Sequence, residues 1–191
     1  METITRRPLS LSDFFKLHQL YDSFDSRQTR QFFDLYWLGL QKRSLKWYLA
    51  QVPLFLSTFK IFRKLILMIY PYLIFISQVA VDRHQLVAYG FLIIRKKYRH
   101  NLFSAELGVA VGDHYQGQGI GKKIVQDLIL AAPFEKIGEI FLTTRTDNQK
   151  AISLYQSLGF KQLSIIPNET TYQGKKYDMY LMSLIINPHD H

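Results

Sequence analysis

The amino-acid sequence predicts an α+β fold. The central observation is the stretch 106–123, where a short apolar run is followed by a glycine-rich turn and then by apolar residues at helical spacing. Two runs rich in β-forming residues precede this stretch, and a further strand and helix are predicted after it. At 191 residues the chain is long enough to bury a sizeable core, so we expect a single domain over 1–191.

Two helices are predicted near the start of the chain. Ser10 and Asp13 have the spacing of a capping box, which marks the beginning of a helix. Apolar residues at helical spacing follow as far as Phe24. A second helix is expected within 25–36, after a polar break that can cap it.

The segment 41–71 is basic and apolar and resembles an insertion. Between Asp34 and Asp82 the chain has no acidic residue, but it has six basic residues among many aliphatic and aromatic ones. Three alternatives remain open: packed core, a homodimer interface or cover over the functional site, and an amphipathic surface on an anionic membrane. A membrane-spanning helix is disfavoured, because Pro71 interrupts an apolar run shorter than the usual ~20 residues.

A β-hairpin is predicted next. Residues 72–81 are rich in β-forming residues, a polar turn runs from Asp82 to Gln85, and 86–95 return as the second strand. A polar loop over 98–104 then leads to the apolar run 107–111. That run indicates a buried strand.

The glycine-rich turn predicts an anion-binding site. The first N–H groups of a helix have no intrahelical partner, and the helix dipole leaves partial positive charge there. Gly117, Gly119 and Gly121 allow a phosphate to approach the backbone closely, and Lys122 adds formal charge. The apolar face of the helix that follows is formed by Ile120, Ile124, Leu128 and Ala131. The turn is therefore a candidate pyrophosphate site.

The spacing of the glycines separates three phosphate-binding motifs. The P-loop pattern G-x-x-x-x-G-K-[ST] fails, because its first position is Gln116 and its last is Lys123. The dinucleotide pattern G-x-G-x-x-G fails, because its third glycine is replaced by Lys122. What remains is Gln-x-x-Gly-x-Gly at Gln116, Gly119 and Gly121. This pattern resembles the acetyl-CoA signature of the GNAT superfamily of N-acetyltransferases.

A second stretch strengthens the resemblance. The strand predicted at 139–144 and the helix after it are similar to a later strand–helix segment of the same family. The matching residues are Asn148, Ala151, Tyr155, Gly159 and Phe160. Asp147 or Asn148 is the predicted N-cap of that helix, Gly159 ends it, and one face carries Ala151, Leu154, Tyr155 and Leu158.

The resemblance covers 72–185 and implies a complete architecture. A loop containing Asn168 and Gly174 is expected to separate two final strands at 161–166 and 177–185. The family fold implies a central mixed, mostly antiparallel sheet flanked by helices, in the order β-α-α-β-β-β-α-β-α-β-β. The segment 41–71 then enlarges the helical region before the second strand.

The same resemblance implies a set of site residues. The strand 107–111 is expected to pair with the pantetheine arm, with the N–H of Val109 facing the thioester oxygen. Tyr155 is expected to protonate the departing sulfur, and Asn148 to orient the loop and cofactor. The cofactor-binding residues are predicted to be Val109, Ala110, Val111, Gln116, Gly117, Gln118, Gly119, Ile120, Gly121, Lys122 and Asn148.

The general base is the least determined part of the site. A lysine-type amine has a pKa of about 10.4 and must lose a proton before it reacts. Glu106 is the first candidate, acting directly or through a water molecule. Side chains alternate along a strand, however, so Glu106 should point away from the face that carries Leu107 unless a bulge intervenes.

Composition limits the remaining alternatives. The chain has no cysteine, which excludes a cysteine nucleophile and a thiolate metal site and is compatible with the cytoplasm. The net charge of +9 favours anionic ligands, but no nucleic-acid motif accompanies it. The sequence predicts transfer from acetyl-CoA, without a metal, to a small amine or peptide N-terminus in a ternary complex. The alternative is a catalytically silent CoA-binding regulatory module, associated with a membrane surface through 41–71.

Overall fold

The computed structural model describes residues 4–13, 16–17, 19–20, 23–24, 75–97, 102–172 and 174–186. Two predictions lie outside these residues: the helix expected within 25–36 and the three alternatives for the segment 41–71. The first predicted helix is described in part. Leu11–Asp13 forms a 3₁₀ turn, helix is present at 16–17 and 19–20, and Leu17, Leu20 and Phe24 are buried.

The described residues form a mixed sheet with two α-helices. The strands are β1 Thr5–Pro8, β2 Phe75–Asp82, β3 Gln85–Lys97, β4 Phe103–Val111, β5 Ile137–Arg145, β6 Lys161–Tyr172 and β7 Lys175–Ile185. The helices are α1 Ile120–Ala131 and α2 Gln149–Ser157. The strand order is β1-β2-β3-β4-β5-β7-β6. β4 and β5 are parallel, whereas the β1–β2, β2–β3, β5–β7 and β6–β7 pairs are antiparallel. The predicted mixed, mostly antiparallel sheet is confirmed.

The described residues group into two compact units. The first unit comprises those within Met1–Ile94 and Gly108–Leu128, and the second comprises those within Arg95–Leu107 and Ile129–His191. The first unit therefore contains the glycine-rich loop and most of α1. The second contains the paired part of β4 with β5, together with α2 and the β6–β7 hairpin.

An ion pair between a partly exposed arginine and a buried aspartate fixes the start of the first unit. Asp13 is fully buried, and its two carboxylate oxygens accept hydrogen bonds from Arg7 Nη1 and Nη2 at 2.6 and 2.8 Å. The same carboxylate accepts from the N–H and hydroxyl of Ser10 at 2.8 and 2.7 Å. The spacing predicted as a capping box thus brings Ser10 and Asp13 together. Arg7 on β1 is the cationic partner of Asp13, and no local sequence pattern indicated this partner.

Glycine 90 brings α1 into direct contact with β3. A Cβ atom at Gly90 would overlap Cγ2 of Ile124 and lie 3.2 Å from Cδ1 of Leu128. The helix face toward the sheet is apolar, and its buried residues are Ile120, Ile124, Val125 and Leu128. The helix ends at Ala131 before a 3₁₀ turn at Pro133–Glu135, as Pro133 predicts.

In α2, the four residues predicted to share a face are buried or partly buried: Tyr155 is buried, and Ala151, Leu154 and Leu158 are partly buried. Ile152 is buried beside them. One detail of the second unit differs from its prediction. The loop predicted between the last two strands is mostly strand, because β6 continues to Tyr172. Its register shifts between Ile166 and Thr170, where Asn168 has a φ of 53°. The N–H of Asn168 donates to Oδ1 of Asp178 at 2.9 Å, which holds this bulge.

We predict that Asp13→Asn lowers the free energy of unfolding by about 1–2 kcal/mol at neutral pH. The loss is modest because Arg7 is partly exposed, so solvent screens its charge. Burial alone would raise the pKa of Asp13, but hydrogen bonds from Arg7 and Ser10 outweigh it and hold this pKa at about 2. A depressed pKa means that the stabilisation is complete above about pH 4 and is lost as pH falls through about 2.

Urea unfolding of both proteins from pH 2 to pH 7 measures this difference. The two stability curves should converge toward pH 2, and curves that stay parallel over the whole range would contradict the assignment. Asp127→Asn is the matched control, because its ion pair with Arg6 at 2.7 Å is between partly exposed side chains. It should change stability by less than about 0.5 kcal/mol.

Candidate active site

The glycine-rich loop adopts a backbone conformation that favours glycine. Gly117 and Gly119 have φ values of 76° and 78°, a region that other residues rarely adopt. A Cβ at either position would have no atom within 4 Å. Space is therefore not what requires glycine here. The requirement comes from the backbone, which turns the chain so that α1 begins at Ile120.

The N–H groups of this loop are open for a ligand. Among the described residues, none of the N–H groups from 117 to 122 donates a hydrogen bond to the protein. The first paired N–H of the helix is that of Lys123, which donates to the carbonyl of Gly119 at 3.1 Å. Unpaired N–H groups at the positive end of a helix bind phosphate. The exposed side chain of Lys122 adds positive charge to the same turn.

The two glutamines of the loop stabilise the loop itself. Nε2 of Gln116 donates to the carbonyl of Val111 at 3.2 Å and to Oδ1 of Asp113 at 3.0 Å. Nε2 of Gln118 donates to the carbonyl of His114 at 3.1 Å. Both glutamines were predicted as cofactor-binding residues. In the structure, their side-chain amide nitrogens bond within the turn and to the end of β4.

The strand β4 carries four of the predicted site residues. Ala110 is buried, Val109 and Val111 are partly buried, and the backbone of all three is extended. Glu106 is partly buried and pairs in register with Phe141. The register of β4 with β5 shifts between Phe103 and Ser104, before Glu106 is reached. The face of the strand on which the Glu106 side chain lies stays a prediction from strand alternation.

Asn148 is the N-cap of α2. Its side-chain oxygen accepts a hydrogen bond from the N–H of Ala151 at 3.2 Å, and its own N–H donates to the carbonyl of Arg145 at 3.0 Å. The sequence left Asp147 and Asn148 as alternative caps. The structure selects Asn148, and this bond explains why an amide or carboxylate oxygen is suited to the position.

Tyr155 combines burial with an unpaired hydroxyl. Its side chain is buried on α2, and its ring meets that of Phe160 edge-on with centroids 5.7 Å apart. Burial raises the pKa of the Tyr155 phenol well above its usual range, so the group stays protonated at neutral pH. In the part of the chain that is described, the hydroxyl has no hydrogen-bond partner. Such a group can donate a proton to a ligand.

A cluster around Arg145 was not predicted from the sequence. Nε and Nη2 of Arg145 donate to both carboxylate oxygens of Asp147, the first at 2.9 Å. The guanidinium lies 3.7 Å from the ring centroid of Tyr177 and 5.6 Å from that of Tyr172. The cluster thus joins the segment before α2 to the β6–β7 hairpin. The i, i+2 spacing of Arg145 and Asp147 was the only local signal, and it is too common to be informative.

The described residues contain neither a metal-binding cluster nor a membrane-spanning helix. Within them, no group of three or more His, Asp or Glu side chains is arranged to hold a metal ion. Over the same residues, no helix has both the length and the apolar character needed to cross a membrane.

Comparison with known families identifies the fold and its family. The model of the acetyltransferase (GNAT) family matches residues 47–160, which is more than half of the chain. The chain belongs to the GNAT family. This confirms the resemblance drawn from the two motifs.

Two curated GNAT relatives align with about two fifths of the chain. N-alpha-acetyltransferase RimI of Mycobacterium tuberculosis is 34% identical over 74 residues, which are 39% of this chain and 44% of the relative. The [ribosomal protein bS18]-alanine N-acetyltransferase of Escherichia coli is 33% identical over 79 residues, which are 41% of this chain and 53% of the relative. The chain thus spans about half the length of these relatives.

A solved GNAT structure supports the fold over almost the whole chain. It is that of yncA, a putative acetyltransferase from Salmonella typhimurium with its cofactor acetyl-CoA, with a TM-score of 0.68 and 18% identity. The match covers 98% of this chain and 96% of that one. At this identity the likeness shows the shared fold alone.

We predict that Arg145→Met lowers the free energy of unfolding by about 1–2 kcal/mol, because it removes both the ion pair and the stacking on Tyr177. The stability of Arg145→Lys should lie between those of wild type and Arg145→Met. An ammonium keeps the charge but cannot donate to both oxygens of Asp147 as the guanidinium does. Urea unfolding measures both variants.

Lys175→Met is the control, because the Lys175 ammonium also lies near Tyr177, at 5.2 Å, but on an exposed residue. Its effect should stay below about 0.5 kcal/mol. Equal losses of stability in Arg145→Met and Lys175→Met would show that the ion pair and the partly buried position of Arg145 add nothing to the free energy of unfolding.

Proposed function

We propose that the chain is an N-acetyltransferase that moves an acetyl group from acetyl-CoA directly to an amine in a ternary complex. The observation that carries the proposal is the row of N–H groups over 117–122, at the start of α1, that have no partner among the described residues. Family membership supplies the co-substrate class. The absence of cysteine from the sequence supports direct transfer, because it removes the usual thiol nucleophile for a covalent acetyl intermediate.

The loop fits the pyrophosphate of acetyl-CoA. Its N–H groups and the side chain of Lys122 provide hydrogen bonds and positive charge for an anion. Gly117 and Gly119 leave open space on the side where a Cβ would lie, so a phosphate can come close to the backbone. Val109, Ala110 and Val111 on β4 are proposed to hold the pantetheine arm. Bound acetyl-CoA supplies the acetyl group as a reactive thioester.

Tyr155 is proposed as the general acid. Its buried hydroxyl is protonated at neutral pH, because burial raises the pKa of the phenol, and it has no partner among the described residues. It can therefore donate its proton to the sulfur as the bond between carbon and sulfur breaks. Asn148 contributes indirectly, because it caps the helix that carries Tyr155.

Glu106 is proposed as the general base, directly or through a water molecule. Of the two residues predicted to be catalytic, Tyr155 and Glu106, only Glu106 carries a carboxylate. It is partly exposed to solvent on β4. The neutral amine needs a partner that takes its proton as the new bond between nitrogen and carbon forms. One proton thus leaves the amine toward Glu106, and one leaves Tyr155 toward the sulfur.

The acceptor is proposed to be a primary amine, with a peptide N-terminus favoured over a small amine. The reason is the likeness to two relatives named as N-terminal or alanine N-acetyltransferases. The test is CoA-thiol release with pooled acceptors: peptides with free N-termini, polyamines, amino sugars and amino acids. Initial rates with both substrates varied should give intersecting reciprocal lines. Parallel lines would contradict direct transfer, and no release in any pool would contradict the proposed activity.

Gly119→Glu should abolish acetyl-CoA binding, because it places bulk and negative charge among the N–H groups that meet the pyrophosphate. Calorimetry measures the affinity. Gly174→Glu is the matched control, since Gly174 is exposed, has a φ of 76° and has open space around it, but lies in the turn between β6 and β7. Both variants carry the same strain and charge. Equal loss of affinity in the two would remove the loop from cofactor binding.

Tyr155→Phe should lower turnover by about a hundredfold or more, the usual contribution of a general acid, with little change in acetyl-CoA affinity. The substrate-saturated thiol-release assay and calorimetry separate the two effects. Tyr180→Phe, at a partly buried tyrosine of β7, is the control and should keep wild-type turnover. An unchanged rate in Tyr155→Phe would exclude the hydroxyl from the chemistry.

A further inference from the structure

The glycine-rich loop is connected to the β2–β3 hairpin by a side-chain hydrogen bond. The hydroxyl of Tyr115 donates to Oδ2 of Asp82 at 2.8 Å. Tyr115 ends the 3₁₀ turn Asp113–Tyr115 that leads into the loop, and Asp82 is the last residue of β2. The bond therefore links the loop to an element 33 residues earlier in the sequence.

The turn that presents Asp82 is strained. Its two central residues, Arg83 and His84, have φ values of 44° and 72°. Two positive φ angles in a two-residue hairpin turn are typical of Asn-Gly, not of residues with large side chains. The register is also irregular just before the turn, between Ala80 and Val81. Strain of this kind persists where the surrounding structure requires it, and here it places the Asp82 carboxylate at the hydroxyl of Tyr115.

The backbone on the loop side is bound to the same hairpin. The N–H of Gly112 donates to the carbonyl of Val87 at 2.8 Å, and the N–H of Tyr115 donates to the carbonyl of Gly112 at 2.8 Å. A Cβ at Gly112 would lie 3.3 Å from that carbonyl oxygen of Val87. The 3₁₀ turn is thus held against the hairpin through its backbone at one end and through the Tyr115 side chain at the other.

Such an anchor matters because the next residues are intrinsically flexible. Gly117 and Gly119 have wide conformational freedom, and their N–H groups have no partner in the described structure. A ligand that must order this loop loses affinity, whereas a loop held in the binding conformation does not incur that entropy loss. Gln116 bonds the loop to Val111 at the end of β4, and Gln118 bonds within the loop, but neither reaches the β2–β3 hairpin.

We propose that Tyr115 is a positioning residue for the cofactor: its bond to Asp82 holds the glycine-rich loop in the conformation that binds the pyrophosphate. This inference rests on the proposed function of the loop. Tyr115 itself need not touch the cofactor or the reacting atoms. It should therefore affect the binding of acetyl-CoA and leave the chemical step unchanged.

Tyr115→Phe removes only the hydroxyl and should raise the Kd and the KM for acetyl-CoA about three- to tenfold, the net value of one typical hydrogen bond at a partly exposed site. The kcat at saturating acetyl-CoA should stay within about twofold of wild type. Asp82→Ala should have the same effect on Kd, and the double variant Tyr115→Phe with Asp82→Ala should be no weaker than either single variant. Asp82→Asn keeps an acceptor oxygen and should restore most of the affinity.

Amide hydrogen exchange of the free protein tests the same proposal without any ligand. The amides of 117–122 should exchange faster in Tyr115→Phe than in wild type, while those in the centre of α1 stay unchanged. Asp127→Asn is the control in both experiments. It breaks the Arg6–Asp127 ion pair in the same unit but does not touch the loop.

The outcomes separate this inference from the function on which it rests. If wild type binds acetyl-CoA and Tyr115→Phe changes neither Kd nor loop exchange, the positioning role is wrong. Additive losses in the double variant would also overturn it, because they would mean that the two side chains act independently. If wild type does not bind acetyl-CoA, the proposed function fails instead, and the exchange comparison alone decides whether the bond orders the loop.

Discussion

The N-terminus of α1 imposes the main constraint on the first unit. A helix that begins directly after a glycine-rich turn leaves a row of N–H groups over 117–122 without acceptors in the described part of the chain. Such a row can bind a ligand tightly only if its geometry is held. The neighbouring contacts meet that need. Gly112 is bonded to Val87 and Tyr115 to Asp82. The loop therefore has fixed ends and a free centre, as an anion-binding turn requires.

The second unit meets two needs of the proposed general acid, which are to keep its phenol protonated and to keep it oriented. Burial of Tyr155 meets the first need, since it disfavours the phenolate. The second need depends on the helix that carries it. Asn148 begins that helix with a side-chain cap, and Phe160 packs edge-on against the ring just after it ends. The cluster of Arg145 with Tyr177 holds the preceding segment.

The parts of the molecule that the sequence predicted are those encoded by local spacing. The strand, glycine turn and helix over 106–131 lie in one continuous stretch, so their periodicity and glycine positions were sufficient. The Asn148 cap and the stop at Gly159 follow from the same local rules. The identity of the base did not follow, because strand alternation gives only the face of Glu106 and not its distance from an acceptor.

The parts that could not be predicted depend on contacts distant in sequence. The loop expected around Asn168 became part of β6, since Asp178 on the next strand binds its N–H. Arg7 and Asp13 were visible as charges, but only the fold brings them into an ion pair.

The absence of a side chain at Gly90 has a consequence for how the loop can respond to a ligand. Ile124 and Leu128 pack directly on the backbone of β3 at this point. No β3 side chain therefore separates α1 from the strand there. Close-packed contacts of this kind resist small displacements. The helix and the strand should therefore behave as one rigid body, and ligand capture should proceed by docking onto a preformed surface. Any adjustment then falls to the short turn 113–119, which lies outside that contact.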